Sequence, residues 1–258
     1  MGFVHHSRTA PRLENQGYLK EFPDYYELTI VNSVRESGWE EDNPFQKVSV
    51  PSDSKQRRNL QRAKNKIFEI SYCNEWDWFF TGTLDQTKQS RDDLNRFRKR
   101  FSDWIRQMNH RGGDIQYLII PELHADMTNW HCHGLLRGIP DNQIQTINGK
   151  TSWKRYADFF GFNDLQVIRN HEAVSKYLTK YITKSIDGDR GVTELNKNSY
   201  FHSQKLRMAE LKKSGTCREV SSEVPIPSDT ILFESDFARK YRFKKTDYSL
   251  NQLYNLFE

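Results

Sequence analysis

Residues 115–140 read IQYLIIPELHADMTNWHCHGLLRGIP and contain two apolar runs separated by a short polar segment. The first run, residues 115–124, is rich in β-branched and aromatic residues, which favour a buried strand. The second run, residues 130–140, follows a turn that we predict near residues 126–129. The pattern therefore predicts a β-hairpin whose first strand is central in a sheet.

Two histidines, His131 and His133, lie in the second run with Cys132 between them. Side chains at positions i and i+2 of a strand point to the same face, so both imidazoles can reach one metal ion. Cys132 then points to the opposite face, into the core. The alternative is that the histidines are ordinary hydrogen-bonded polar residues on a half-buried face.

An acidic residue on the first strand strengthens the metal hypothesis. Glu122 would lie beside the two histidines if the strands pair, and a carboxylate with two imidazoles suits Mg²⁺ or Mn²⁺. The types of ligand alone also allow Zn²⁺. His124 is a rival third ligand, although its position favours a polar residue at the hairpin turn.

A later segment, HEAVSKYLTKYITKS at residues 171–185, has the pattern of an amphipathic helix. Tyr177 and Tyr181 are four residues apart and share one helical face. Lys180 and Lys184 each follow one of these tyrosines by three residues. A phenol is a weak nucleophile near neutral pH, but nearby cations can stabilise its phenolate. The alternative is a structural helix that buries both rings and exposes its lysines.

A second helix is predicted after Pro51 and Ser52, with one apolar face and one basic face. The basic face contains the candidate DNA-binding residues Arg57, Arg58, Arg62, Lys64 and Lys66. Such a face can contact phosphates or can simply be solvated, and the sequence leaves both interpretations open.

Bulk composition is compatible with a partner that has a phosphate backbone but does not require one. The net charge is +5 and the pI is near 9.0. Three scattered cysteines favour neither a disulfide framework nor a thiolate zinc site, so we expect a reducing, cytoplasmic location. No apolar run approaches the length of a membrane span, so we expect no membrane partner. The segment at residues 149–151 lacks the preceding glycine of a P-loop, which argues against an ATPase of that type.

Three motifs, taken in order, resemble those of the HUH endonucleases, and in particular the two-tyrosine rolling-circle replication initiators of bacteriophages and plasmids. They are FFTGTLD at residues 79–85, WHCHGLL at residues 130–136 and YLTKYITK at residues 177–184. The resemblance covers about residues 55–205. Gly82 departs from the family, whose first motif usually has a more continuous Thr-Leu-Thr pattern.

The resemblance implies an α+β fold with a central antiparallel β-sheet and packed helices, with the metal histidines on a middle strand. It implies that the metal ligands are His131, His133 and Glu122. It also implies that Tyr177 and Tyr181 are nucleophiles and that Lys180 and Lys184 match lysines of the same motif.

The implied activity is the initiation of rolling-circle replication. In such enzymes one tyrosine attacks a phosphodiester of single-stranded origin DNA, keeps the 5′-phosphate as a covalent ester and frees a 3′-hydroxyl that primes synthesis. The second tyrosine permits later strand transfer and closure. A helicase and a polymerase would come from the host or from separate proteins, in the cytoplasm of a bacterial cell or of a phage's bacterial host.

The expected organisation has three segments. Residues 1–50 form an N-terminal arm, residues 51–205 form the HUH endonuclease domain, and residues 206–258 form a C-terminal extension that packs on or follows it. Two other classes fit the same sequence. A metal-dependent nuclease that uses water would make the tyrosine helix structural, and a non-enzymatic DNA-binding regulator would leave the histidines without a catalytic role.

Overall fold

The structure is a computed structural model that describes residues 12–34, 53–124, 129–184, 199–217, 230–235 and 238–257. Its strands are β1 (Arg12–Glu21), β2 (Tyr25–Val34), β3 (Trp78–Thr83), β4 (Gln116–Leu123), β5 (Trp130–Arg137), β6 (Ile144–Ile147), β7 (Lys150–Trp153), β8 (Asn163–Val167), β9 (Phe201–His202), β10 (Glu210–Thr216), β11 (Ile231–Glu234) and β12 (Ala238–Lys244). Its helices are α1 (Asp53–Tyr72), α2 (Leu94–His110), α3 (Lys154–Phe159), α4 (His171–Lys184) and α5 (Leu250–Tyr254). The predicted α+β class is confirmed, with two large antiparallel sheets where the sequence suggested one.

The chain divides into two units, and the larger one comprises residues 50–208. Its five-stranded antiparallel sheet has the order β8–β3–β5–β4–β9, so β5 is the middle strand. The predicted hairpin is present, with Ile120 paired to His133 and Glu122 paired to His131. Residues 125–128, which contain most of the predicted turn, lie outside the described residues.

Helices cover both faces of this sheet. Successive side chains of each strand point to opposite faces, and both faces carry apolar residues that need a covering layer. On one face, the helices α1 and α4 pack against each other and against the sheet. The buried residues of that layer include Ile67, Ile70, Leu118, Ile120, Leu135, Leu178 and Ile182. On the other face, α2 and α3 pack on the sheet through a largely aromatic core. That core includes Phe80, Phe97, Phe101, Trp104, Tyr117, Tyr156 and Phe160.

The smaller unit comprises residues 1–49 and 209–258, so it combines the two ends of the chain. Its sheet has the order β10–β1–β2–β12–β11, and Leu28 of β2 pairs with both Leu19 of β1 and Tyr241 of β12. From the sequence we expected an N-terminal arm and a C-terminal extension as separate segments. Strands from both ends of the chain instead pair in one sheet. Apolar residues of these strands form one core with Leu253 and Phe257, which come more than 200 residues after β1.

Among the described residues, none of the helices combines the length and the apolar character that a membrane span needs.

Gly82, the departure in the first motif, has a packing explanation. It lies on β3 opposite Cys132, on the face that α2 and α3 cover. A Cβ atom there would lie 2.6 Å from the ring of Phe80 and 2.6 Å from the hydroxyl oxygen of Tyr156. Both of these rings are fully buried, so neither can move aside easily.

We predict that Gly82→Ala lowers the free energy of unfolding by about 1–3 kcal/mol, because it overpacks a closed core. Urea denaturation followed by circular dichroism measures the change. Gly215→Ala is the control, since its nearest contact would be Phe257 at an ordinary 3.8 Å. Equal stability of the Gly82 variant and the wild type would contradict the packing explanation.

Candidate active site

Three polar side chains from the β4–β5 hairpin converge on the sheet face that α1 and α4 cover. Oε2 of Glu122 lies 3.0 Å from Nε2 of His131 and 2.7 Å from Nε2 of His133. One ligand atom from each of the three residues falls within 4.8 Å of the others. Two imidazole nitrogens and one carboxylate oxygen at this spacing fit a divalent cation. We call these three residues the metal triad.

The surroundings of Glu122 keep its side chain charged. Burial raises the pKa of this carboxyl, but the hydrogen bonds with His131 and His133 and the attraction of their charge outweigh it and lower the pKa to about 2. Glu122 is therefore a carboxylate at neutral pH, which is the form that binds a cation.

His124, the rival third ligand, lies beside the triad but is not one of its three converging residues. His124 is exposed, and its ring contacts that of His131 at 5.6 Å between centroids, whereas the third position of the triad is held by Glu122. The backbone N–H of His124 donates to the carbonyl of Asn129, which places His124 at the end of the hairpin. Cys132 points to the opposite, apolar face as expected, and burial raises the pKa of its thiol to about 12.

Thr81 contacts the triad although it was not among the site residues predicted from the sequence. It lies on β3 directly opposite His133, and its Oγ1 is 3.2 Å from Nδ1 of that ring. With Nε2 as the ligand atom, Nδ1 carries the ring proton and its N–H donates a hydrogen bond to Oγ1 of Thr81, which holds the ring in its orientation. Because the contact depends on the β3–β5 register, the sequence could not single out Thr81. It indicated only the motif FFTGTLD, which contains this residue.

Helix α4 places the tyrosine pair next to the triad. The ring of Tyr181 stacks on the ring of His133 at 3.7 Å between centroids and 17° between planes. The ring of Phe79 lies beside both tyrosines and His133. The sequence allowed two interpretations of this helix, with both tyrosines as nucleophiles or with both rings buried. Neither describes it fully, because Tyr181 is only 6% exposed whereas Tyr177 is 46% exposed.

The two hydroxyl groups are hydrogen-bonded to each other. Tyr181 donates to the hydroxyl oxygen of Tyr177, with 2.7 Å between the oxygens. Burial raises the pKa of Tyr181 well above its usual value, and the hydrogen bond with Tyr177 and the charge of Glu122 raise it further. Nζ of Lys180 lies 5.8 Å from the centre of the Tyr177 ring. The side chain of Lys184 lies outside the described residues.

The candidate DNA-binding residues lie on α1, in the same layer as the tyrosine helix. Arg62 and Lys66 are exposed and Lys64 is half-buried. The side chains of Arg57 and Arg58 lie outside the described residues. Their contact with DNA stays a prediction.

Residues 77–186 match a protein family described as Replication-associated protein ORF2/G2P. The match confirms the resemblance to replication initiators and supports a role in DNA replication. The matched segment is less than half of the chain, yet it contains the metal triad and both tyrosines. The family alone does not assign roles to the two tyrosines, which stay a prediction. No curated protein and no solved structure matches the chain.

We predict that Thr81→Val weakens the binding of Mn²⁺ by about 10- to 100-fold, because His133 loses the hydrogen bond that orients it. Isothermal titration calorimetry measures the affinity directly, without DNA. Thr83→Val is the matched control on the same strand, since in the described structure its hydroxyl has no hydrogen bond with His131 or His133. If both variants bind Mn²⁺ like the wild type, Thr81 does not position the triad.

Proposed function

We propose that the protein initiates rolling-circle replication by nicking single-stranded origin DNA and later rejoining the strands. The observation that carries this proposal is the stacking of Tyr181 on His133, in which one ring of the tyrosine pair contacts a member of the candidate metal triad. The match to a replication-associated family supports the same function. On this proposal, a helicase and a polymerase are supplied by the host or by separate proteins.

The metal triad would hold Mg²⁺ or Mn²⁺ through Nε2 of both histidines and a carboxylate oxygen of Glu122. When bound, the cation polarises the scissile phosphate and makes it easier to attack. Thr81 keeps His133 aimed at this position, and Tyr181 covers one side of the ring.

Tyr177 is the better placed nucleophile for the first attack, because it is the exposed member of the pair. Its hydroxyl oxygen forms a bond to phosphorus while the bond from phosphorus to the 3′-oxygen breaks. The 5′-phosphate stays on the tyrosine, and the 3′-oxygen leaves as a hydroxyl, so the proton lost by the phenol is balanced by the one gained there. Lys180 and the hydrogen bond from Tyr181 stabilise negative charge that develops on the Tyr177 oxygen.

Tyr181 would act in the second half of the cycle. Once Tyr177 carries DNA, its oxygen is an ester and the hydrogen bond between the two hydroxyls is altered. The hydroxyl of Tyr181, four residues away on the same helix, can then attack a second phosphodiester and permit strand transfer. The 3′-hydroxyl released in that step closes the first strand by attacking the Tyr177 ester.

We predict that Tyr177→Phe and Tyr181→Phe each impair a full cycle of nicking and rejoining, and that the double variant is inert. Incubation with single-stranded oligonucleotides and Mn²⁺, followed by boiling in detergent and electrophoresis, detects the covalent adduct. Tyr18→Phe, an exposed tyrosine of the smaller unit, is the control. Nicking by the double variant would refute the tyrosine mechanism, and cut DNA without an adduct would indicate a nuclease that uses water.

We predict that His131→Ala and His133→Ala abolish cleavage but retain most of the affinity for DNA, because that affinity comes chiefly from phosphate contacts. Fluorescence anisotropy measures binding, and the oligonucleotide assay measures cleavage. His110→Ala, at the exposed end of α2, is the control and should preserve both properties. If the histidine variants lost DNA binding as completely as cleavage, a metal-binding role would be contradicted. If the wild-type protein bound DNA but never cut it, the protein would be a DNA-binding regulator.

A further inference from the structure

Phe162 is an exposed aromatic residue at the outer edge of the sheet that carries the triad. It immediately precedes β8, which is an edge strand of the larger unit, and its side chain is 60% exposed. Its carbonyl accepts a hydrogen bond from the backbone N–H of Thr83, with 2.8 Å between the atoms. Since Asn163 pairs with Gly82, this bond continues the β3–β8 register by one residue.

Strand alternation places the Phe162 side chain on the same sheet face as the triad. Asn163 is opposite Gly82, which is opposite Cys132, and these directly paired residues share the face covered by α2 and α3. Asn163 is buried there and binds the backbone of Trp153 through its amide group. Its neighbour Phe162 must therefore point to the other face.

Phe162 is also level with the triad along the strands. One row across the sheet runs from Phe162 through Thr83 and His131 to Glu122. Two strand spacings separate Phe162 from His131, which is on the order of 10 Å. The ring therefore stands beside the position of the scissile phosphate, within reach of a flanking nucleotide.

The chemistry of this edge favours a nucleobase over a phosphate. Within the described part of the chain, no aromatic ring contacts Phe162, so its face is available for stacking. Asp164 lies two residues further along β8 on the same face, and its carboxylate repels phosphates. A phenyl ring beside a carboxylate thus offers a base a stacking surface and leaves the sugar-phosphate backbone to run elsewhere.

We propose that Phe162 is a stacking platform for a base of single-stranded DNA next to the scissile phosphate. This inference rests on the proposed nicking function and names a residue that positions its substrate. It would hold the DNA in register with the triad without reading a base by hydrogen bonds, because every base has a face that can stack.

The test measures the binding of a fluorescein-labelled single-stranded oligonucleotide of randomised sequence to the full chain, in a chelator that prevents cleavage. Phe162→Ala should weaken binding by about 5- to 100-fold, and Phe162→Trp should preserve it. Phe159→Ala is a matched control three residues away. Phe159 is 45% exposed, but its ring contacts Trp104 of α2 on the opposite face of the sheet.

The salt dependence of binding separates stacking from an electrostatic effect. Stacking on a base neutralises no phosphate and so releases no counterions. Phe162→Ala should therefore leave the slope of log affinity against log salt unchanged, whereas Arg62→Ala should reduce that slope if Arg62 contacts phosphate. Affinity of Phe162→Ala equal to the wild type, or equal losses in Phe159→Ala, would overturn the inference. Circular dichroism checks that each variant is folded.

The nicking assay keeps this inference distinct from the proposed function. If the wild type nicks DNA and Phe162→Ala binds and nicks equally well, the stacking role is wrong and the nicking function stands. If the wild type binds DNA but never nicks it, and Phe162→Ala still weakens binding, the proposed function fails and the stacking role stands. If the wild type does not bind single-stranded DNA, the stacking role is also wrong.

Discussion

The arrangement of the candidate active site depends on the antiparallel pairing of β4 with β5. That pairing sets Glu122 opposite His131 and brings His133 to the same carboxylate, so three polar groups meet on one pair of hydrogen-bonded strands. A slip by one residue would move both histidines into the aromatic core. The apolar residues on the opposite face, including Cys132, favour this register, because it buries them in the aromatic core.

The sequence predicted the local parts of this site well. Alternation along β5 predicted that the two histidines share a face, and a carboxylate on the adjacent strand favoured Glu122 as their partner. Helical spacing put the two tyrosines on one side of α4. These inferences use periods of two and about four residues, which are fixed by backbone geometry and are visible in a single chain.

Features that depend on pairing between distant segments could not be predicted. The contact of Thr81 with His133 requires the β3–β5 register, and the position of Phe162 requires the β3–β8 register as well. The smaller unit was missed for the same reason, since its core joins residues near the two ends of the chain. The side chains of β1 and β12 carry no local signal of the partner strand that each will meet.

The two tyrosines are equivalent in the motif but not in their surroundings, and this asymmetry is a consequence of how α4 is held. Leu178 and Ile182 are buried against the sheet, so the helix is fixed in rotation about its axis. Tyr181 stacks on His133 and is buried, whereas Tyr177, one turn earlier, is 46% exposed. With the helix held in this rotation, the hydroxyl of buried Tyr181 is the donor and the hydroxyl of exposed Tyr177 is the acceptor. A motif repeated twice can in this way supply two different chemical environments, which the proposed reaction with two successive transfers could use.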